Sequence, residues 1–490
     1  MKYISVEEAG KKFNLSARSV RNYCSQGRIA GAVLKGKTWL IPIDASKPDR
    51  SISIDNEAIK DSEALIKFIN ESPTSFVAIK NVSDMLFKNE FIELFENKKS
   101  SIEKGKKFFF IRNDSSLIAI NVGKNVSSES GFNIVTSHAD SPCLKIKPEC
   151  DGKTDIYNKI NVSVYGGLIL PSFIDRPLAV SGRIITKEND KLVSHIVNYP
   201  DLVSVVPNVC IHFNTSINKG YEYNPQVDMQ VLYSQERDES PLLKELAKRL
   251  KVKNEDISNF DLYLYNKESG IIWGENKEYI SSPRLDDLEC VYTSLKGLIE
   301  GNNDNNINVL YICDNEEVGS SSIVGADSDF LFRTLKRVSK DLKLDFDLLI
   351  ANSFLVSADN AHAVHPNKGE LSDKDNRLYM NKGIAIKYSS SLSYTTDAVS
   401  SAIFQKICDN ASIPYQFFTN RSDIRGGGTL GKYLLTQVSM LSVDVGLSQL
   451  AMHSSYETAG STDVKYAIKV FKEFYSSNIK IDKDNYEIRK

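Results

Sequence analysis

The sequence predicts an α/β protein that carries an inserted, mostly β stretch and a small basic helix-turn-helix module at its N-terminus. Three observations predict it. From about Asn56 onward, helical and strand patterns alternate, the order that lays helices against a central sheet. Between Lys145 and about Glu278 the texture changes to short β-prone segments parted by Gly and Pro turns. Residues 1–50 hold ten Lys and Arg against four Asp and Glu, a formal +6 that leaves −8 on the remainder. Such asymmetry marks an appended module with a partner of its own.

The module comes first. Ser5 is placed to cap a helix whose first turn holds Glu7 and Glu8. Asn14 breaks that helix, and Ser16 opens a second one running through Gln26 to Gly27. Arg18 and Arg21 fall on one face of this second helix. Ile29 to Leu34, Lys35-Gly36-Lys37 and Thr38 to Pro42 then read as a hairpin with a basic tip. Asp44 to Ser53, containing Pro48, is a polar linker. Two short helices and a hairpin are similar to the winged helix-turn-helix of excisionase-like proteins, carried by "SVEEAGKKFNLSARSVRNYCSQGRI" and "GKTWLIP". The resemblance implies DNA contact through Arg18, Arg21, Lys35 and Lys37, or a protein contact in which the same fold is reused.

In the body, Ala58 to Asn70 is an amphipathic helix, and Phe108 to Ile111, Leu117 to Val122 and Asn133 to Thr136 are strands. The insert follows, with segments such as Val162 to Gly167 and Leu178 to Ile185. After Ser281 the alternation resumes: helix Leu285 to Gly301, strand Val309 to Cys313, strand Leu348 to Ala351 and a long helix Thr462 to Tyr475. Gly301 to Asn306 is a helix-to-strand loop. The domain reading is therefore a module at 1–48, a body in two parts at 55–144 and 279–480, and the insert at 145–278.

Composition narrows the function classes. The chain of 490 residues is 41% hydrophobic and 25% charged with a formal net charge of −2, so nothing draws the whole molecule to nucleic acid or anionic lipid. The start Met1 to Glu8 lacks the apolar core of a signal peptide, and no uninterrupted apolar run approaches a membrane span. Membrane is thus not an expected partner. Seven cysteines are scattered, odd in number and free of any C-x-x-C pair, which argues against a disulfide framework and for a reducing, cytoplasmic setting.

Several stations carry chemistry. Glu316 and Glu317 end the apolar run Val309 to Cys313. Burying two carboxylates there costs several kcal/mol unless positive charge compensates them. On extended backbone the two side chains diverge, one toward a metal and the other toward a water; a solvated acidic loop is the plainer alternative. His138 and Asp140 share one side of the chain after Ile134 to Thr136, so Asp140 can accept the second N–H of a ligating His138. Asp286 and Asp287 open a helix, where acids also serve the helix dipole. Asp359, His362 and His365 crowd after an apolar segment, and spacing alone does not choose among them. His453 closes another apolar stretch, as a core histidine would too.

Taken together, "SHADSP", "SPRLDDL", "CDNEEVGS", "SADNAHAVHPN" and "QLAMHSSYE" resemble, in order and context, the aspartyl aminopeptidase family of dinuclear-metal peptidases. "VYGGLILPSFIDRPLAVSGR" and "VPNVCIHFN" in the insert join them, and the resemblance spans about Asn56 to Tyr475. It implies a mixed-sheet α/β/α metallopeptidase domain with an inserted β-rich dimerisation domain. By motif position, His138, Asp286 and Asp359 would hold one ion and Asp286, Glu317 and His453 the other, with Asp286 bridging. Glu316 would be the general base and Asp140 the partner of His138. Two divalent ions per subunit follow, zinc first, with cobalt or manganese as alternatives. The family builds a tetrahedral dodecamer from dimers, and His212 matches the histidine that reaches a neighbour's site.

The chain departs from the family where substrate is chosen. The usual arginine-asparagine-aspartate segment stands here as Arg421-Ser422-Asp423, followed by Ile424-Arg425-Gly426-Gly427-Gly428, and Ile386 to Thr396 lacks the usual glutamine-arginine pair. Gly426 to Gly431 is no P-loop, for it lacks the lysine and hydroxyl pair. Lys387, Asp423 and Arg425 are the substrate-binding candidates, and Lys387 and Arg425 suit an acidic side chain. The expected reaction is removal of an N-terminal residue, acidic or more broadly chosen, from peptides by water that two metals activate. One rival is a DNA-binding regulator using the body as a sensor or oligomerisation scaffold. Another is a deacylase or carboxypeptidase of the same metal clan.

Overall fold

The computed structural model describes residues 2–25, 29, 31–36, 38–47, 54–235, 241–424, 426–483 and 485–489. Of the expectations above, those on Gln26, Gly27, Ala30, Lys37, the linker around Pro48 and Arg425 lie outside these residues. The chain divides into two compact units, Met1–Ile54 and Asp55–Lys490.

In the first unit, Ser5 Oγ accepts the Glu8 N–H at 3.2 Å while Glu8 Oε2 accepts the Ser5 N–H at 2.8 Å. This reciprocal cap starts the helix Val6–Phe13. Asn14, at φ 53°, ends it in the left-handed region. Ser16 Oγ accepts the Ser19 N–H at 3.1 Å at the head of the helix Ala17–Ser25. Tyr3–Ile4, Thr38–Pro42 and Val33–Lys35 form an antiparallel sheet in that order. Val6, Ala9, Phe13, Val20, Cys24, Ile29 and Ile41 make a core of its own.

The second unit is built on a nine-stranded mixed sheet. Its centre is four parallel strands in the order Leu441–Gly446, Phe354–Ala358, Phe132–His138 and Ile307–Cys313. Residues 132–138 and 307–313 are buried throughout, as strands covered on both faces must be. Alternate residues feed two cores. Val135, Leu310, Ile312, Val356 and Val443 pack against helices Asn56–Glu71, Leu285–Glu300 and Ser461–Ser476. Ile134, Val309, Tyr311 and Leu355 pack against helices Phe330–Leu342 and Leu430–Gln437. The result is an α/β/α layering.

A six-stranded antiparallel sheet, between Cys143 and Asn266, interrupts this body and carries a separate core with the helix Pro241–Leu250. A smaller five-stranded sheet includes Tyr279–Ser282, Glu457–Gly460 and Ser448–Leu450. A terminal hairpin pairs Asn478–Asp482 with Asn485–Arg489.

One expected strand is corrected. Leu348 to Ala351 lies in the helix Phe346–Ala351, because Asp345 caps it by accepting the Leu348 N–H at 3.0 Å. The strand that leads to Asp359 is Phe354–Ala358 instead. No helix among the described residues is long and apolar enough to cross a membrane.

Candidate metal centre

The four parallel strands end at one edge, and the chemistry-bearing side chains gather there. His138 is the last residue of its strand and registers against Cys313. Asp359 follows Ala358, and Glu316–Val318 forms a 3₁₀ turn just beyond Cys313. Sheets with parallel strands hold their ligands at this carboxyl end. Asp286 arrives on the first turn of Leu285–Glu300, and His453 on the loop between Ser448–Leu450 and Glu457–Gly460. Gly446 permits the close approach of two strands, since a Cβ there would lie 1.8 Å from the Asp359 carbonyl oxygen.

The carboxylate of Asp286 stands between two histidines. His138 Nε2 is 3.5 Å from its Oδ1, and His453 Nε2 is 3.7 Å from its Oδ2. Asp359 Oδ1 lies 3.8 Å from His138 Nε2, and Glu317 Oε2 lies 3.4 Å from His453 Nε2. Two sets therefore converge, His138 with Asp286 and Asp359, and Asp286 with Glu317 and His453; Glu316 and Glu317 also group with His138. Asp286 Oδ1 and Glu317 Oε1 are buried without a hydrogen-bond partner. Buried carboxylate oxygens in that condition are answered by a cation or by a proton, and this mix of imidazole and carboxylate donors fits zinc.

Electrostatics agree with a site short of positive charge. Burial pushes Glu316 up to about 8, with Asp359, Asp140 and Asp286 adding to it. Burial and Asp286 likewise hold Glu317 well above the usual carboxylate range. Burial alone would lower His138, but the carboxylates of Asp140, Asp286 and Asp359 hold it well above the ordinary imidazole value. Asp359 is drawn down to about 2: burial opposes this, and the Lys387 ammonium and His138 together outweigh it.

Two expectations on local geometry change. Glu316 and Glu317 do not sit on extended backbone; a 3₁₀ turn carries them, and Asp140 accepts both their N–H groups, at 3.1 and 3.2 Å. His138 Nδ1 faces the main chain of Asp140 (3.0 Å from its carbonyl oxygen) more closely than its carboxylate (3.4 Å). In the Asp359 segment, Asp359 joins the cluster, whereas His362 and His365 are exposed and outside it. Asp287 accepts the His138 N–H at 3.2 Å.

The substrate candidates are dispersed. Lys387 is 2% exposed, and its ammonium lies 3.3 Å from Asp359 Oδ2 while donating to the Asn360 carbonyl at 3.0 Å. That ammonium is thus engaged at the cluster. Asp423 is exposed and clamped by the Arg421 guanidinium at 2.8 and 2.6 Å. His212 is exposed on the loop between Lys191–Ser204 and Val231–Ser234, beside exposed Val209, Ile211 and Phe213. In the first unit, Arg18, Arg21 and Lys35 are exposed.

Sequence reasoning missed Glu457 and Tyr165. Glu457 is buried; its Oε1 accepts the His453 N–H at 2.7 Å and its Oε2 the Asp286 N–H at 3.0 Å. One carboxylate thus fixes the backbone of two cluster residues. The signal was its place four residues after His453. Tyr165 Oη donates to Asp140 Oδ2 at 2.8 Å from the insert, and no local pattern marks it.

A mixed α/β body with a carboxylate-imidazole cluster at the carboxyl edge of its parallel strands defines a metallohydrolase. Residues 68–475 match the family model of aminopeptidase I zinc metalloproteases (M18). The chain belongs to the M18 family of zinc aminopeptidases, hydrolases that act on peptides. A probable M18 family aminopeptidase 2 of Clostridium novyi is 45% identical over 428 residues, covering 85% of this chain and 99% of that one. Solved yeast aminopeptidase 1 superposes with a TM-score of 0.76 at 28% identity, covering 85% and 97%. The mApe1 dodecamer of S. cerevisiae gives 0.76 and 28% over 86% and 97%. The matches are to peptidases, so the regulator with an inert body gains no support.

Proposed function

We propose that this aminopeptidase works with two divalent ions, His138, Asp286 and Asp359 holding one and Asp286, Glu317 and His453 the other. The observation that carries this is the Asp286 carboxylate, one oxygen toward each histidine. Zinc is the expected metal, with cobalt or manganese as alternatives; bound there, the pair would supply polarisation of the scissile carbonyl and acidification of the attacking water. Glu316 takes the proton from that water and returns it to the leaving amine. Asp140 acts by orientation, holding the turn of Glu316 and Glu317 and facing His138. Acids around the ions receive the free α-amino group, which restricts cleavage to the first residue.

Specificity reaches beyond acidic N-termini, because Asp423 is paired with Arg421 and Lys387 with Asp359. Lys387 then serves to hold Asp359, and Arg425 is left as the cation for an acidic side chain. The subunit assembles into a homo-oligomer, by likeness to the mApe1 dodecamer. Exposed Val209, Ile211 and Phe213 around His212 favour a subunit contact there, which would bring His212 to a neighbour. The insert at 145–278 would be that dimerisation domain, between body segments 55–144 and 279–480. Seven free cysteines suit a cytoplasmic setting. Residues 1–48 are a winged helix-turn-helix-like extension whose charge fits a polyanion.

The test is an assay of purified protein with Zn²⁺, Mn²⁺ or Co²⁺ on a panel of acidic and neutral aminoacyl substrates, with metal content measured alongside. Two ions per subunit, and a Glu316→Gln variant that keeps them but turns over about 10²- to 10⁴-fold more slowly, are expected. Full activity with one ion, or an active Glu316→Gln variant, overturns the assignment.

A further inference from the structure

We infer that Gly167 is a positioning residue: from the insert, its carbonyl oxygen holds His453 and so sets the affinity of the second ion while leaving the first alone. The inference rests on the two-ion reading above and adds to it a coupling between that ion and the insert.

The two sites are built differently. His138, Asp286 and Asp359 come from the body: the end of a central strand, the first turn of a helix and the residue after another central strand. The His138 side chain is 1% exposed. His453 instead sits on a loop, at φ 66° with Ala451 at φ 56°, and its side chain is 30% exposed. A loop histidine so placed is held by whatever packs around it.

Much of that packing belongs to the insert. The strand Tyr157–Tyr165 ends there, and the chain turns through Gly166 and Gly167. His453 Nδ1 donates to the Gly167 carbonyl at 3.1 Å. A carbonyl only accepts, so Nδ1 carries the proton and Nε2 keeps the lone pair that a metal needs. Ile169 N–H donates to the His453 carbonyl at 3.1 Å, and Ser172 Oγ accepts the Ser455 N–H at 2.9 Å. Glu457, from the body, holds the His453 N–H.

The insert also meets the site's other ligand. Gly166, at φ 75°, packs on Glu317, where a Cβ would lie 3.1 Å from Glu317 Cβ. A residue without a side chain both takes that backbone conformation and allows the approach. His138 is reached at one remove, through the Tyr165 hydroxyl on Asp140. A shift of the insert against the body therefore moves His453 and Glu317 and leaves His138 and Asp359 in place. Coupling of this kind is reciprocal, so filling the second site should tighten residues 167–172 on the body.

The test uses Gly167→Ala. The added methyl carbon would stand 3.3 Å from His453 Nδ1 and 3.8 Å from Cε1, at an exposed position whose φ is not positive. The full chain is dialysed against chelator-buffered zinc over a range of free concentrations, and zinc per subunit is measured. The wild-type chain should fill in two steps, and His453→Ala should keep the one that belongs to the first site. Gly167→Ala should weaken the other step about 10- to 100-fold, the range for a disturbed ligand support. Ser172→Ala, which acts on the same loop through Ser455, should weaken that step by a smaller factor. Gly152→Ala, the same change elsewhere in the insert, should move neither. Hydrogen exchange of residues 167–172 should slow in the wild-type chain as the second site fills. Equal shifts of both steps in Gly167→Ala, no shift beside a one-step His453→Ala, or exchange as fast with two ions as with one would each overturn the inference alone. A wild-type chain that binds one ion, or a His453→Ala chain that keeps two, would overturn the two-ion reading and the inference with it.

Discussion

Asp140 Oδ1 accepts the backbone N–H of Glu316 at 3.1 Å. The same carboxylate accepts the Glu317 N–H at 3.2 Å and the Tyr165 hydroxyl at 2.8 Å, and faces His138 Nδ1 at 3.4 Å. One buried acid therefore ties the ends of two adjacent strands to each other and to the insert.

Asp140→Asn should for this reason reduce turnover about 10- to 100-fold, the effect expected when a ligand's supporting hydrogen bonds are disturbed. An amide offers one acceptor oxygen where two oxygens now accept. Steady-state kinetics should show the loss in kcat more than in KM, and unchanged kcat would contradict it.

Lys387→Met should leave Asp359 buried beside the other acids without its cation. Breaking a buried pair by removing one partner costs roughly 3–5 kcal/mol, so thermal unfolding of metal-free protein should drop clearly. A variant of unchanged stability that loses only its rate on acidic substrates would instead make Lys387 a recognition residue.

Chelation should destabilise the protein, because the folded state loses the ions it binds and Glu316 and Glu317, raised by burial, must be held toward their neutral form beside Asp286 and Asp359. Ion binding at a thousandfold above its Kd stabilises a fold by about 4 kcal/mol per site. Zinc should restore the unfolding temperature of chelated protein, and Asp286→Ala should abolish most of that recovery. Recovery undiminished in Asp286→Ala would place the stabilising ions elsewhere.

A pH effect is expected in the insert. Burial pushes Asp261 up, but Arg183 at 2.8 Å and Lys145 at 3.3 Å outweigh it and hold the carboxyl below its ordinary value. A depressed carboxyl contributes stability above its unfolded pKa, and that contribution fades as pH falls through the folded one. Asp261→Asn should therefore be less stable at pH 7 by about 1 kcal/mol, discounted for partial exposure. The gap should close below pH 4, and a constant difference down to pH 2 would refute the linkage.

How much was legible depends on the range of the signal. Ser5, Asn14 and Ser16 bounded their helices from the sequence, since a cap is decided within three or four residues. The run Val309 to Cys313 announced its strand by composition. Leu348 to Ala351 misled because a short apolar run has no period to separate helix from strand, and the deciding group, Asp345, lies just outside it. The turn at Glu316 depends on Asp140, which is distant in sequence, so extended backbone was the natural but mistaken reading.

By itself, the sequence determined the α/β alternation, the β-rich insert, the basic N-terminal module and the family, because these rest on local pattern and on motifs read in order. Only the tertiary structure decided the distances at which Asp286 stands between His138 and His453, that Glu457 fixes both Asp286 and His453, and that Lys387 is buried on Asp359. Those are distances between residues brought together by strand order, and hydrophobic patterning along the chain specifies which elements form far better than which side chains meet.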